Sequence, residues 1–300
     1  MKKLLCIILS VLTLCGCTHK VTESDKLNIV TTVFASYDFA KEIAKDKANV
    51  SSLIKPGIDV HSFEPSPKDI IEIENCDVFI YTGGDNEKWV EKILKTIKKD
   101  FYVVKMLDVC DIIQEENHSH HNHNEGTDQH VWTSPVNAVK ISKAIKEAMI
   151  KVDEENKSFY ENNYKDYEAR LNKLDAKIKD CVAQSKRKEV IFGDRFPVIY
   201  FTNEYKINHY SAFSGCSAES EADARTVAFL CEKITEEKIP AVFYIEMSDK
   251  KMAKAISEAT GAKCLLFHSC HNVTLEEFNN GATYISLMEQ NLSALKEALN

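Results

Sequence analysis

From residue 27 onward, short runs of β-branched and aromatic residues alternate with segments whose apolar residues recur every three or four positions. The runs at 27–34, 50–54, 78–81 and 102–106 predict strands, since four to eight apolar residues between turn signals suit a buried strand. Between them, 37–44, 67–74 and 88–98 read as amphipathic helices. Such a β-α-β-α alternation lays strands side by side in a parallel sheet with helices over its faces. The same rhythm returns after residue 188, with strands expected at 190–192, 209–213, 241–245 and 263–267, and helices at 218–233, 249–260 and 282–299.

The two halves are joined by a stretch without proline or glycine, from Asp153 to Lys188. Asp153 can cap a helix there, and Glu154 and Glu155 in its first turn favour the positive end of the helix dipole. Phe159, Asn163, Tyr167, Leu171, Leu174 and Ile178 recur at spacings of four and three, which is one helix face. About thirty residues at 1.5 Å each give a rod of ~45 Å. The stripe is too short and too aromatic for a coiled-coil seam. The predicted fold is α/β with two lobes, each a mainly parallel sheet with flanking helices, joined by one long rigid helix. Its expected boundaries are 27–152 for the N-terminal lobe, 153–187 for the linking helix and 188–300 for the C-terminal lobe.

Residues 1–26 do not fit this rhythm. Met1, Lys2 and Lys3 are followed by a mainly apolar run, 4–14, too short for the ~20 residues that span a bilayer as a helix. It reads as a signal-peptide core. The run ends in Leu14-Cys15-Gly16-Cys17, which resembles the lipobox of bacterial lipoproteins. That resemblance implies cleavage before Cys17, diacylglycerol on its sulfur, and a membrane anchor, with 1–17 as signal and 18–26 as a polar tether. An accidental cysteine after a plain secretory signal is the alternative.

The formal charge of −8 becomes more negative once Lys2 and Lys3 are removed. An acidic chain is a poor partner for nucleic acid and better suited to drawing in cations. Of ten cysteines, Cys6, Cys15 and Cys17 belong to the export segment, leaving Cys76, Cys110, Cys181, Cys216, Cys231, Cys264 and Cys270. They are scattered, odd in number, and form no Cys-x-x-Cys pair, so a cysteine zinc knuckle is unsupported. Cys264 and Cys270 could pair across a loop.

Histidines carry the most chemical information. His118, His120, His121 and His123 fall in one polar segment, 115–125, with no apolar residue in it. Clustered imidazoles among carboxylates suit borderline metals such as zinc, copper and nickel. This segment reads as an auxiliary, weakly binding metal-capture loop, the alternative being a solvated linker. His61 lies in Lys55-Pro56-Gly57-Ile58-Asp59-Val60-His61-Ser62-Phe63-Glu64-Pro65-Ser66-Pro67, where proline and glycine fix the path of the chain. His130 lies in Asp128-Gln129-His130-Val131-Trp132-Thr133-Ser134-Pro135, just before a helix. Alone, either would more often be a satisfied structural histidine than a ligand.

Together, Pro-Gly-x-x-x-His-x-Phe-Glu-Pro-Ser-Pro and x-His-x-Trp-x-Ser-Pro closely resemble the metal-receptor family of ABC importers, solute-binding proteins that deliver zinc or manganese to a membrane permease. The resemblance runs from the lipobox to the C-terminus, and the family's long central helix matches the predicted linker. It implies that His61 and His130 bind metal. It also implies two ligands from the second lobe, where this chain departs from the pattern. Aligned on Phe196, Gly193 stands where the family has histidine or glutamate, and glycine offers no ligand atom. Asp194 could substitute, although Arg195 could instead hold it in an ion pair. Glu219, Glu221 and the Cys216 thiolate compete for the role. At the family's fourth position, a late aspartate followed by serine, this chain has His268-Ser269, with His271 close behind. Glu246, after a strand, could orient a ligand.

Imidazole in place of carboxylate favours Zn2+ over Mn2+. The expectation is therefore a lipid-anchored receptor on the outer face of the bacterial cytoplasmic membrane. It would bind zinc through His61, His130 and His268 and pass it to an ABC permease. A manganese or iron receptor of the same family, and a metal-containing surface adhesin, are the alternatives. An enzyme is not expected, since neither His-Glu-x-x-His nor Gly-x-Ser-x-Gly occurs.

Overall fold

The structure is a computed structural model and describes residues 26–113, 127–213 and 223–300. The export segment with Cys17, the histidines of 115–125, and Cys216, Glu219 and Glu221 lie outside these residues.

The N-terminal lobe is built on β1 (Leu27–Thr31), β2 (Ala48–Ser52), β3 (Val78–Tyr81) and β4 (Tyr102–Lys105), with α1 (Phe34–Ala44), α2 (Pro67–Asn75) and α3 (Lys88–Leu94) between them. Its sheet is parallel throughout, in the order β2-β1-β3-β4, with Leu27 opposite Ala48 and Ile29 opposite Val78. The C-terminal lobe holds β5 (Glu189–Phe192), β6 (Asn208–Ser211), β7 (Ala241–Tyr244) and β8 (Lys263–Leu266), with α6 (Ile199–Tyr205), α7 (Ala224–Glu237), α8 (Lys251–Thr260) and α9 (Leu275–Asn279). Its parallel order is β6-β5-β7-β8. Counted from the first strand of each lobe, the two sheets share one topology.

The uninterrupted apolar runs follow from burial of both sheet faces. Successive side chains point to opposite faces. Val78 and Ile80 therefore enter one core while Phe79 and Tyr81 enter another under α2 and α3. In the second lobe Val190 and Phe192 face inward, whereas Ile191 joins Val242 under α7 and α8.

The inward faces of both sheets meet in a single core. It is completed by α4 (Pro135–Val152), α5 (Lys157–Gln184) and α10 (Tyr284–Ala298). The long helix α5 joins the lobes, but it is not a free-standing rod. It lies against α4, α1 and α10, and buries Tyr160, Tyr164, Tyr167, Leu171, Leu174, Ile178 and Val182. Asp153 accepts the N–H of Asn156 and so caps a short 3-10 turn ahead of it. The first two turns bury Tyr160 and Tyr164 in place of the expected Phe159 and Asn163; Asn163 instead donates its amide to the Ile43 carbonyl. Among the described residues no helix is long and apolar enough to cross a membrane. All six described cysteines are free thiols, so the pairing of Cys264 with Cys270 does not occur; Cys264 lies on β8 and Cys270 is fully buried in the main core.

Candidate metal centre

The two histidine motifs are loops with fixed exits. Each ends in Ser-Pro: Ser66 caps α2 through a reciprocal pair with Asp69, and Ser134 caps α4 by accepting the Asn137 N–H. Proline sits at the first helical position in both, where its missing N–H costs nothing. The histidines are thus set five and four residues ahead of the capping serines of rigid helices, in loops that follow β2 and β4. The carboxyl ends of strands are where open α/β sheets place ligands.

His61 occupies a 3-10 turn, Val60–Ser62, capped by Asp59, whose carboxylate accepts the His61 N–H at 3.0 Å. Its Nδ1 lies 3.3 Å from Asn86 Nδ2. His130 is buried, and Asp128 holds it twice: Oδ1 accepts the backbone N–H at 2.8 Å and lies 3.1 Å from ring Nδ1. A carboxylate on one imidazole nitrogen fixes the tautomer whose other nitrogen can bind metal. Trp132 is fully buried beside this ring and donates from Nε1 to the Ser269 carbonyl in the opposite lobe.

The third imidazole is that of His271, in the loop after β8. One nitrogen each from His61, His130 and His271 lies within 4.8 Å of the others. The His271 ring stands edge-on to His130 at 5.0 Å between centroids and to His61 at 5.2 Å. Nitrogens of a tetrahedral zinc shell lie roughly 3.4 Å apart, given Zn–N of ~2.0–2.1 Å. Small ring rotations therefore close the trio on an ion. Burial, reinforced by the neighbouring imidazoles and Arg195, pushes His61 down to about 4 and His271 well below the usual histidine range. Both are consequently neutral bases near neutral pH, the form in which an imidazole can bind a metal.

The expected ligand His268 is not part of this group. Asn291 grips its backbone on both sides, accepting the N–H at 2.6 Å and donating to the carbonyl at 2.7 Å. Its Nδ1 accepts the Cys270 N–H, and Nε2 is buried without a hydrogen-bond partner 3.8 Å from Glu277, so the ring lies inside the lobe and away from the trio. Burial alone would lower its pKa, but Glu246 and Glu277 outweigh that and raise it. Cys270 then takes a left-handed conformation, φ 59°, and the reversal brings His271 to the cleft. The imidazole that joins His61 and His130 is thus three residues past the expected one, and the second histidine of His-Ser-Cys-His was its sequence signal.

Asp194 is also outside the group. Its two oxygens accept the N–H groups of Arg195 and Ile245, tying the loop after β5 to the loop after β7. Glu246 holds loop backbone rather than a ring: it accepts the Ser269 N–H at 2.7 Å and the His271 N–H at 3.2 Å, and pairs with the Ser269 hydroxyl. The cleft leading to His61 and His271 is lined by Ile58, Arg195, Pro197, Glu246 and Met247 from both lobes.

The sequence of this chain matches the family described as the periplasmic component A of a zinc-uptake complex over residues 29–298. It is 32% identical to the high-affinity zinc uptake system protein ZnuA of Bacillus subtilis, covering 93% of this chain and 89% of that protein. It is 33% identical to the zinc-binding lipoprotein AdcA of Streptococcus pneumoniae, covering 99% of this chain but only 61% of AdcA. In three dimensions it is similar to the Zn(II)-bound ZnuA-like domain of that AdcA, with a TM-score of 0.77, 32% identity, and 91% of this chain and 99% of the domain covered. It is also similar to the metal-dependent lipoprotein YcdH of Bacillus subtilis, with a TM-score of 0.79, 32% identity, and 92% and 100% coverage. With paired parallel-sheet lobes, a joining helix and a histidine trio between them, the chain belongs to the ZnuA family of zinc-uptake receptors.

Proposed function

We propose that this protein is a zinc receptor that takes up the ion at His61, His130 and His271 and delivers it to an ABC permease. The observation that carries the reading is the convergence of three imidazole nitrogens, from loops of both lobes, within 4.8 Å. Neutral nitrogen donors suit zinc, whereas manganese prefers carboxylate oxygen. Three histidines leave one tetrahedral position, to be filled by Glu219, by Cys216 or by water. Cys17 would carry the lipid that keeps the receptor on the outer face of the membrane. The segment 115–125, with His118, His120, His121 and His123, would gather metal and pass it inward.

The test is zinc titration of the purified chain against a chromophoric chelator. His61→Ala, His130→Ala and His271→Ala should each lose tight binding, and His268→Ala should keep it. Wild-type affinity in the first three variants would overturn the reading. X-ray absorption at the zinc edge separates a sulfur ligand from oxygen and nitrogen at the fourth position.

A further inference from the structure

We infer that Asn272 is a positioning residue, whose carboxamide clasps the turn ahead of His61 to the loop that carries His271. Zinc affinity and residence time then depend on a contact made by no ligand. The inference rests on the zinc reading above and concerns what holds two of its ligands in register.

The clasp is built from both sides. Lys55-Pro56-Gly57-Ile58 is a tight turn: the Ile58 N–H donates to the Lys55 carbonyl at 3.2 Å, and Gly57 has φ +85°. Proline followed by a residue of positive φ is the signature of a type II turn, whose third position favours glycine. This turn directs backbone groups of residues 55, 57 and 58 at the C-terminal lobe. Asn272 Nδ2 donates to the Lys55 carbonyl at 2.9 Å and to the Ile58 carbonyl at 2.8 Å. The Gly57 N–H donates to the Val273 carbonyl at 2.8 Å. Asn272 Oδ1 meanwhile accepts the Val273 N–H at 2.8 Å, so both ends of this buried amide are engaged and its orientation is fixed.

The placement links the clasp to the metal. His61 lies three residues past Ile58, and its own N–H is pinned by Asp59. His271 immediately precedes Asn272, and its carbonyl accepts the Phe34 N–H. One side chain therefore spans two loops that each carry a ligand, one from each lobe. An ion entering such a site meets donors already near their bound positions, so less ordering opposes binding. Release requires His61 and His271 to separate, and the clasp opposes that separation. Asparagine suits the position because its amide gives two hydrogens to two carbonyls; aspartate has the same shape and no donor.

The experiment compares the purified full chain with Asn272→Asp and Gly57→Ala, measuring zinc affinity, zinc release into excess chelator, and the visible bands of bound cobalt(II). Asn272→Asp should weaken zinc by about tenfold, the lower end of what outer-shell changes cost, chiefly through faster release, with altered cobalt bands. Gly57→Ala should act in the same direction while leaving Asn272 intact. A methyl there meets no atom within 4 Å, so the change strains only the turn. In a His61→Ala background, Asn272→Asp should add nothing, because the ligand it positions is gone. Unchanged affinity and release in both single variants would overturn the inference. So would a full additive loss in the His61→Ala background, which would mark Asn272 as general scaffold. Wild-type binding by His61→Ala alone would instead overturn the zinc-site reading.

Discussion

A β-carbon placed on Gly193 would lie 2.6 Å from the Cα of Ala253, because the end of β5 runs directly against the backbone of α8. This contact leaves no room for a side chain at the position where the sequence resemblance implied a ligand. Gly193→His should therefore fail to create a fourth ligand and should destabilise the fold by ~1–3 kcal/mol or more, as overpacking does. Thermal unfolding and zinc titration of that variant check both parts. Tighter zinc binding with an unchanged melting temperature would contradict the packing argument.

Asp128 is the side chain that fixes the His130 ring. Asp128→Asn can keep the contact to the backbone N–H but loses the charge that favours Nδ1 as donor. Its zinc affinity should fall ~10–100-fold, as for other outer-shell partners of metal-bound histidine. Competition titration measures this, and an unchanged affinity would remove Asp128 from the site.

His268 and His271 should separate cleanly by experiment. The first is enclosed by Cys270, Asn291 and Glu277, and His268→Ala should lower stability by a few kcal/mol, within the ~1–3 kcal/mol that a lost buried polar partner costs. His271→Ala should leave the melting temperature of the metal-free chain nearly unchanged and abolish the rise in melting temperature that zinc produces. Paired melting curves with and without zinc decide the matter.

Asp38 lies buried where α1 meets α5 and α10, accepting the Tyr284 N–H at 3.0 Å and the Tyr167 hydroxyl at 3.3 Å. Burial dominates its titration and raises its pKa to about 7, against the pull of those two hydrogen bonds. An unfolded chain loses this proton near ~3.9, so between that pH and about 7 the folded state binds more protons. By linkage, stability contributed by this group declines as pH rises through that window and is level above it. Asp38→Asn removes the slope. Urea unfolding should show the variant gaining on the wild type at pH 8 relative to pH 5; equal differences at the two values would refute it.

The strands were legible in the sequence because both faces of each sheet are covered, which leaves unbroken runs such as Val78–Tyr81. Their ends were less so: the first run was expected to reach residue 34, but β1 stops at Thr31 and Phe34 opens α1. The short helices α6 and α9 carry too few turns to display a period. In the joining helix the buried stripe begins one residue later than its period suggests, because Phe159 and Tyr160 are both large aromatics, and packing together with the Tyr160 hydroxyl's bond to Asp153 selects the second. His61 and His130 stood out because prolines and caps frame their loops. His268 and His271 share one loop without such framing, and what separates them is the grip of Asn291 and the left-handed turn at Cys270, both products of tertiary structure.

The common core that runs beneath both sheets has a consequence for how the ion leaves. Swinging one lobe from the other would disturb the core along α5, where Leu171, Leu174 and Ile178 are each worth roughly 1.5–3 kcal/mol when fully buried. The shared core thus opposes a jaw-like opening of the lobes. With the lobes so held, the proposed trio would select an ion by the spacing of its donors and would have little lobe motion with which to expel it. The work of extraction must then fall on whatever docks at the mouth of the cleft.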